Sequence, residues 1–293
     1  MFKLGLYLKK IISIILKIRL LNFIFIKFKF FFKTGKRLDL NKKYFSSYLI
    51  NLKLNYKSEL NYHLYADKIK VRNYIKQTVG NKYLSEIQLI TNKLSFEQLF
   101  SLKYPLIIKT NHTSHANFII KSLSELSKSK LSKIIWLNNF YQKFDFGSYS
   151  GEKWYSNIPP SIFIESLIND KNKKIPKDFK VHCFTKANKF IIMVDSDRFT
   201  NHSRRIYDQN WNDLGFSLAV KKSDFEIEKP IFLNEMLTIS KKLSSIFPYV
   251  RVDFLVFDNK LIVNELTFCE SSGYLKFIPN YKDIDLTWGH YLD

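Results

Sequence analysis

The sequence predicts an α+β fold, and three observations carry the prediction. From residue 104 onward, short runs rich in β-branched residues recur, several of them joined by tight polar turns. Before and between them lie segments whose apolar residues repeat at helical spacing. Hydrophobic residues make up 46% of the 293-residue chain and aromatic residues 16%, which suffices for a full core and excludes a disordered chain.

The chain opens on "MFKLGLYLKKIISIILKIRLLNFIFIKFKFFFKTGKR". Residues 1–43 hold twelve Lys/Arg and one acid, Asp39, so this segment supplies +11 of the formal charge of +21. Its apolar runs, Ile11–Leu16 and Leu20–Ile26, are interrupted by Lys17 and Arg19, whereas a spanning helix needs about 20 mostly apolar residues. No small-residue cleavage site follows, so no cleavable leader is expected. Two readings remain. A cationic amphipathic helix lies on an anionic membrane, making the protein cytoplasmic and peripheral on the inner face of the cytoplasmic membrane. Alternatively, the helix packs its apolar side on the body. Charge alone suits nucleic acid, but no base-reading motif accompanies it, and no nucleic-acid partner is expected. Cys183 and Cys269 lie far apart without metal spacing, which fits buried thiols in a reducing compartment.

Residues 44–80 read as helices. In "YADKIKVRNYIKQTVGN", Ile69, Val71, Tyr74, Ile75 and Val79 share a helical face, and Gly80 is the stop signal. "YPLIIK" and "FIIK" read as strands flanking the polar loop "TNHTSHAN". "SIFIESLI" is a further strand, and "KVHCF" and "KFIIMVD" form a hairpin through "TKAN". In "IFLNEMLTISKKLSSIF", Leu233, Met236, Leu237, Ser240, Leu243 and Phe247 share one helical face.

The last hairpin, "YVRVDFLVFDNKLIVNELTF", sets Asp253 and Glu265 within apolar strands, where carboxylates are disfavoured and repel each other if opposed. Register decides whether they meet. With a three-residue loop, Asp258–Lys260, Asp253 opposes Glu265 and Arg251 opposes Thr267. With a two-residue turn, Asp258-Asn259, the carboxylates fall on opposite faces. Two carboxylates on one face with a hydroxyl nearby are hard oxygen ligands of the kind Mg²⁺ takes alongside phosphates. The alternative is an ion cluster in which Arg251 pairs both acids.

"ADKIKVRNYI", "YPLIIKTNH", "DFKVHCF", "DSDRF", "YDQNW", "VRVDF", "ELTF" and "SSGY" resemble, in this order, the TupA-like branch of the ATP-grasp superfamily, over roughly residues 36–293. That branch is associated with teichuronopeptide and other bacterial surface polysaccharide synthesis. The resemblance implies an ATP-grasp fold, two α+β subdomains gripping ATP. The chain then divides into a basic segment (1–43), a helical lead-in with the N-terminal subdomain (44–164), and a C-terminal subdomain with the metal site (165–293).

It also implies roles. Lys109 resembles the phosphate-contacting lysine, and Arg72 a second phosphate-binding cation. Glu165 resembles the hinge acid that meets the adenine amino group, with the backbone of Ile168 beside it. Asp178 resembles the ribose-contacting acid. Lys180 and Arg198 resemble phosphate contacts. Asp253, Glu265 and Thr267 resemble the metal ligands, and Arg251 would stabilise the transferring phosphoryl group. The loop after the lysine is usually glycine-rich, letting backbone N–H groups approach phosphates. "NHTSHAN" has no glycine, so the hydroxyls of Thr113 and Ser114 would donate instead. The acceptor would lie along "CESSGY", with Glu270, Ser271, Ser272 and Gly273.

The implied activity is an ATP- and Mg²⁺-dependent ligation of a carboxylate to an amine, with an amino acid and a uronic-acid glycan as substrates. Two rival readings stand beside it. "FIIMVDSD" ends a strand in Asp195-x-Asp197, the pattern by which some glycosyltransferases hold a metal and a nucleotide sugar. The glycine-free loop suits a membrane-docked scaffold without catalysis.

Overall fold

The computed structural model describes residues 2–167, 177–196, 201–257, 260–279 and 282–293. The basic segment forms two helices, α1 (Phe2–Ile15) and α2 (Arg19–Thr34), with the break between them falling beside Lys17 and Arg19, where the apolar run is interrupted. Three short helices follow: α3 (Phe45–Leu54), α4 (Tyr62–Ala66) and α5 (Val71–Thr78). The stop signal after α5 acts as expected: Gly80 takes φ 109°, a conformation open to a residue without Cβ.

A first sheet contains β1 (Ile87–Thr91), β2 (Leu106–Thr110), β3 (Phe118–Ile120) and β4 (Ile162–Ser166) in the order β1-β4-β2-β3, all antiparallel. Between its strands run α6 (Phe96–Phe100), α7 (Lys128–Gln142) and α8 (Phe146–Ser150). Leu131 and Ile134 of α7 bury themselves with Leu106, Ile108 and Ile164 in one small core.

A second sheet contains β5 (Lys177–Phe184), β6 (Lys189–Ser196), β7 (Ser203–Asp208), β9 (Tyr249–Phe257) and β10 (Lys260–Thr267), ordered β10-β9-β5-β6-β7 and antiparallel throughout. A short pair, β8 (Ser217–Leu218) with β11 (Phe277–Ile278), lies beside it, and α9 (Leu233–Ser244) packs on β5 and β9. The stripe predicted for α9 is the buried one: Leu233, Met236, Ser240 and Leu243 face the core. The chain ends in α10 (Lys282–His290), which packs on α3.

The boundary between the two sheets differs from the 164/165 division. Glu165 lies inside β4, bonded into the first sheet, so the sheets part between Ser166 and Lys177. Helices α3 to α5 belong with the second sheet, because Phe45, Leu49, Val71 and Ile75 share one core with Phe184 and Tyr249.

The β9–β10 hairpin combines the two registers that the sequence left open. Lys260 pairs with Phe257 and Val263 with Phe254, the register of a two-residue turn. A bulge between Val263 and Glu265 then inserts Asn264, after which Glu265 opposes Asp253 and Thr267 opposes Arg251. A bulge lets two successive residues share a face. Val263 and Leu266 are buried in the core with Phe254, while Asn264 and Glu265 both turn to the opposite side.

Glycine reports how tightly the ends are packed. A Cβ at Gly289 of α10 would lie 1.8 Å from the carbonyl oxygen of Lys43, whereas one at Gly5 of α1 would meet nothing within 4 Å. Gly289→Ala is therefore expected to destabilise by about 1–3 kcal/mol through overpacking. Gly5→Ala should be neutral or stabilise by about 0.5–1 kcal/mol through helix propensity. Thermal unfolding of the two variants checks the contrast.

Candidate active site

The two sheets face each other across a cleft of about 80 Å³. It is lined by four cations (Lys68, Lys109, Lys180, Arg251), three carboxylates (Asp178, Asp253, Glu265) and two amides (Asn117, Asn264). Each arrives through strand alternation. Asp178, Lys180 and His182 lie on one face of β5, while Phe179, Val181 and Cys183 fill the core behind them. In register, Lys180 lies beside Asp253, which lies beside Glu265.

Arg251 organises the second sheet's side of the cleft. Its Nε and Nη2 donate to the two carboxylate oxygens of Asp253, each at 2.6 Å. Nη1 donates to Glu270, and Nη2 also reaches Thr267 Oγ1 at 3.1 Å and approaches Glu265 Oε1 at 4.0 Å. Thr267 is thus engaged by Arg251 and does not line the cleft. Burial pushes Asp253 up to about 7 against the pull of Arg251, with the opposed Glu265 carboxylate adding to the rise. Burial acts the same way on Glu265, but Lys68, Arg251 and Lys109 outweigh it and hold that carboxyl at about 2. Arg251 itself is raised: the acids around it outweigh the cost of burying its charge.

On the first sheet, Lys109 Nζ donates to Glu165 Oε2 at 2.7 Å and, across the cleft, to Asn264 Oδ1 at 2.8 Å. Glu165 Oε1 accepts from Arg72 Nη1 at 2.8 Å and from Ser85 Oγ at 2.7 Å. Burial would raise Glu165, but the Lys109 and Arg72 cations carry it below the usual carboxylate range. The structure thus places Glu165 between the two cations assigned to phosphate. Ile168 and Arg198 lie outside the described residues, as does Asp197.

The loop Asn111–Asn117 joins β2 to β3. It is held by its own side chains: Asn111 donates to Asp67 Oδ1 and the Pro159 carbonyl, and His112 bridges Asn111 and the Phe144 carbonyl. Ser114 is exposed, whereas Thr113 is fully buried and accepts from the His115 N–H. Lys68 Nζ donates to the Thr113 carbonyl at 2.9 Å and sits 3.4 Å from Glu265 Oε2. Residue-type reasoning missed Lys68 and Asn264, although both stand within quoted motifs, "ADKIKVR" and "VNEL". The bulge alone makes Asn264 a cleft residue, and no sequence pattern announced it.

Farther along β5, Lys180 Nζ donates to Asp178 Oδ2 at 2.8 Å and to Asp195. Asp195 also accepts from Arg204 Nε at 2.6 Å and lies 3.0 Å from His202 Nε2. Burial opposes the charge on Asp195, but Lys180 and Arg204 hold it far below the usual range. A carboxylate so committed has little left for a metal and nucleotide sugar, which weighs against the glycosyltransferase reading.

The "CESSGY" segment borders the Arg251 side. Ser271, Ser272 and Gly273 all take positive φ (46°, 55° and 78°). Left-handed conformations cost non-glycine residues about 1–2 kcal/mol each. Lys53 Nζ holds the Ser272 carbonyl at 3.0 Å, and Ser272 Oγ donates to Glu152 Oε1 at 2.8 Å. Ser271 Oγ donates to Glu270 Oε1 at 2.6 Å.

Asp253, Glu265 and the Asn264 amide oxygen are hard donors on one face, and Mg²⁺ characteristically takes one or two carboxylates plus phosphate oxygens and water. They fit that ion, whose remaining positions phosphate oxygens or water would fill. Among the described residues, no group of three or more His, Cys, Asp or Glu side chains is arranged to hold a metal without such help.

A family model, the TupA-like ATP-grasp, matches residues 47–292. The chain belongs to the TupA-like ATP-grasp family. Solved structures similar to this TupA-like chain include D-alanine–D-alanine ligase from Bacillus anthracis complexed with ATP, at 18% identity and TM-score 0.39, covering 70% of this chain and 55% of that one. The same ligase from Helicobacter pylori gives 18% identity and TM-score 0.41, covering 78% and 60%. The ATP-grasp ligase PsnB, complexed with a phosphomimetic precursor variant, Mg and ADP, gives 11% and 0.41, covering 84% and 65%. The chain spans less than two thirds of the length of these structures. No curated protein matches it. The family match confirms the ATP-grasp fold expected from the quoted motifs.

Two buried histidines, His112 and His182, and the half-buried His115 give the ATP-grasp body a pH signature. Burial lowers His112 and His115 to about 4 and His182 to about 3, so all stay neutral in the fold. Unfolded histidines take up protons below about 6.5. At these three sites the unfolded state then binds more protons, so their contribution to stability falls as pH drops from about 6.5 towards 4, opposed in part by Asp253, which the fold protonates at higher pH than the unfolded chain does. A decline in thermal midpoint over that window, made shallower by His182→Phe, is the expected result.

Proposed function

We propose that this protein is an ATP-dependent carboxylate–amine ligase that joins an amino acid to the carboxylate of a uronic-acid sugar on a bacterial surface glycan. The observation that carries the reading is the bulged hairpin. It sets Asp253 opposite Glu265 and turns Asn264 towards Lys109 on the facing sheet. Acidic oxygens on one wall and phosphate-binding cations on the other are the complement of a magnesium nucleotide.

Lys109 and Arg72 bind the phosphates, each leaving Glu165 to do so. The present cleft is far below the roughly 300–1,000 Å³ of pockets that hold drug-sized ligands, so the sheets part as the nucleotide enters. Asp253 and Glu265 would hold Mg²⁺, which would neutralise phosphate charge. Arg251, pinned between Asp253 and Glu270, stabilises charge on the transferring phosphoryl group. The substrate carboxylate attacks the γ-phosphorus, the bond to ADP breaks, and an acyl phosphate forms. The amine then attacks the acyl carbon, phosphate leaves with the C–O bonding pair, and the amine proton passes to solvent. Catalysis of this kind rests on positioning and charge. Glu270 to Gly273 border the acceptor.

Phosphate release from ATP, screened over amino acids paired with uronic-acid sugars, tests the proposal. The parent should release phosphate only when both partners are present. Asp253→Asn with Glu265→Gln should abolish thermal protection by Mg-ATP, and Lys109→Ala should slow turnover by roughly 100-fold or more. Release that survives the double variant, or none with any pair, overturns the reading, and the second result is what the scaffold reading expects.

A further inference from the structure

Thirteen of the twenty-one exposed large apolar side chains among the described residues lie in the first 32 positions. Their arrangement inverts that of an ordinary surface helix, which turns its apolar stripe to the core. In α1 the inward stripe is Leu6 and Ser13, continued by Leu16 just past the helix, while Leu4, Ile11 and Ile14, with Ile18 beyond the helix end, are exposed on the other side; Tyr7 is half exposed, and its ring meets Phe140 edge-on. In α2 the inward stripe is Asn22, Ile26 and Phe30, and Leu20, Ile24, Phe28 and Phe31 face away. Between the helices lies a groove of about 430 Å³ without a polar atom on its walls, where Ile12 and Ile15 meet Leu21, Ile24 and Phe28. The two outward faces are therefore continuous.

Cations edge that surface. Lys3, Lys10 and Lys17 repeat every seven residues, a row along the flank of the outward stripe that borders the body, where Lys3 lies over the Trp136 ring at 5.2 Å and Lys17, still largely exposed, sits 3.5 Å from Asp145. Residues 2–34 contain eight Lys/Arg and no Asp or Glu. A second copy packed on this face would bring these like charges together, whereas acyl chains and anionic headgroups satisfy both halves at once. Neither helix can cross a bilayer: no helix among the described residues is long and apolar enough.

We propose that the α1–α2 hairpin docks the enzyme on an anionic lipid bilayer, with both helices parallel to the surface, their outward apolar face among the acyl chains and the lysines at the phosphodiesters. Interfacial helices bind in this manner.

The test is co-sedimentation of the full chain, without nucleotide, with phosphatidylcholine vesicles lacking or containing phosphatidylglycerol. Binding should require the anionic lipid and weaken sharply in ~0.5 M salt. Lys3→Gln with Lys10→Gln and Lys17→Gln should weaken it by on the order of 100-fold, about five-fold per cation. Ile11→Asp with Phe28→Asp should abolish it. Both variants should keep the parent's thermal midpoint and Mg-ATP protection, so that loss of binding is not loss of fold and stands apart from the ligase assay. A parent that stays in the supernatant, or that sediments equally after either change, overturns the proposal. So does a parent that is an oligomer in solution and becomes monomeric with Ile11→Asp, because a second copy would then own this face.

Discussion

A guanidinium cannot shed its proton inside a protein, and this fixes the chemistry around Arg251. Its side chain is 10% exposed, and among the described residues its hydrogen-bond partners are two acids and a hydroxyl. Removing one partner from such a set strands a buried charge at a cost of about 3–5 kcal/mol. The acids are therefore bound to the arginine as firmly as it is to them. Glu270 shows the same constraint: burial works against its charge, yet Arg251 above all holds it below the usual range. The positions of Asp253 on β9 and Glu270 before the acceptor segment are thus tied through one side chain. Anything that moves the Glu270–Gly273 segment pulls, through Arg251, on the Asp253 carboxylate.

The facing wall solves the same problem with opposite signs. Lys109 and Arg72 are cations brought close together, and Glu165 between them makes that arrangement tolerable. A triphosphate offers a stronger version of the same pairing. The cleft of about 80 Å³ fits a state in which protein groups stand in for ligand groups: Glu165 for a phosphate on Lys109, and Arg251 for a divalent ion on Asp253. The raised Asp253 belongs to this picture. Burial and the opposed Glu265 disfavour its charge, and a divalent ion between the two carboxylates would remove the repulsion.

Strand and helix placement was legible where periodicity was strong. The hairpin through Thr185–Asn188, the face of α9 and the Gly80 stop all stand where pattern predicted, because each rests on local chemistry: a turn residue, an apolar stripe, a glycine at positive φ. What escaped was decided by long-range pairing. "SRRIYD" did not read as a strand because Arg204 and Arg205 interrupt its apolar pattern, yet β7 completes the sheet by burying both against Asp195 and Asp213. The membership of Glu165 in the first sheet follows from its pairing with Ile107, which no local signal encodes. The sequence posed the hairpin register as two exclusive choices, and one inserted residue let the chain take both.

The N-terminal hairpin and the acceptor segment share a layer of side chains. Ile26 and Phe30, on the inward stripe of α2, pack with Ile50 and Tyr274. A Cβ on Gly273 would lie 2.8 Å from Ile50 Cδ1, so the acceptor segment rests directly on the residues that seat the hairpin. Lys53, one turn beyond Ile50 on α3, holds the Ser272 carbonyl. A helix with its side chains is about 10 Å thick. If the outward face of the hairpin lies in a lipid surface, the left-handed turn at Ser271–Gly273 stands about one helix diameter above the headgroups. A glycan tethered to a lipid would reach that height without leaving the membrane, whereas a free sugar gains nothing from it. The orientation of the apolar stripes thus bears on the proposed acceptor: under the proposed docking, the same packing that turns isoleucines and phenylalanines outward would set the Ser271–Gly273 turn on the membrane side.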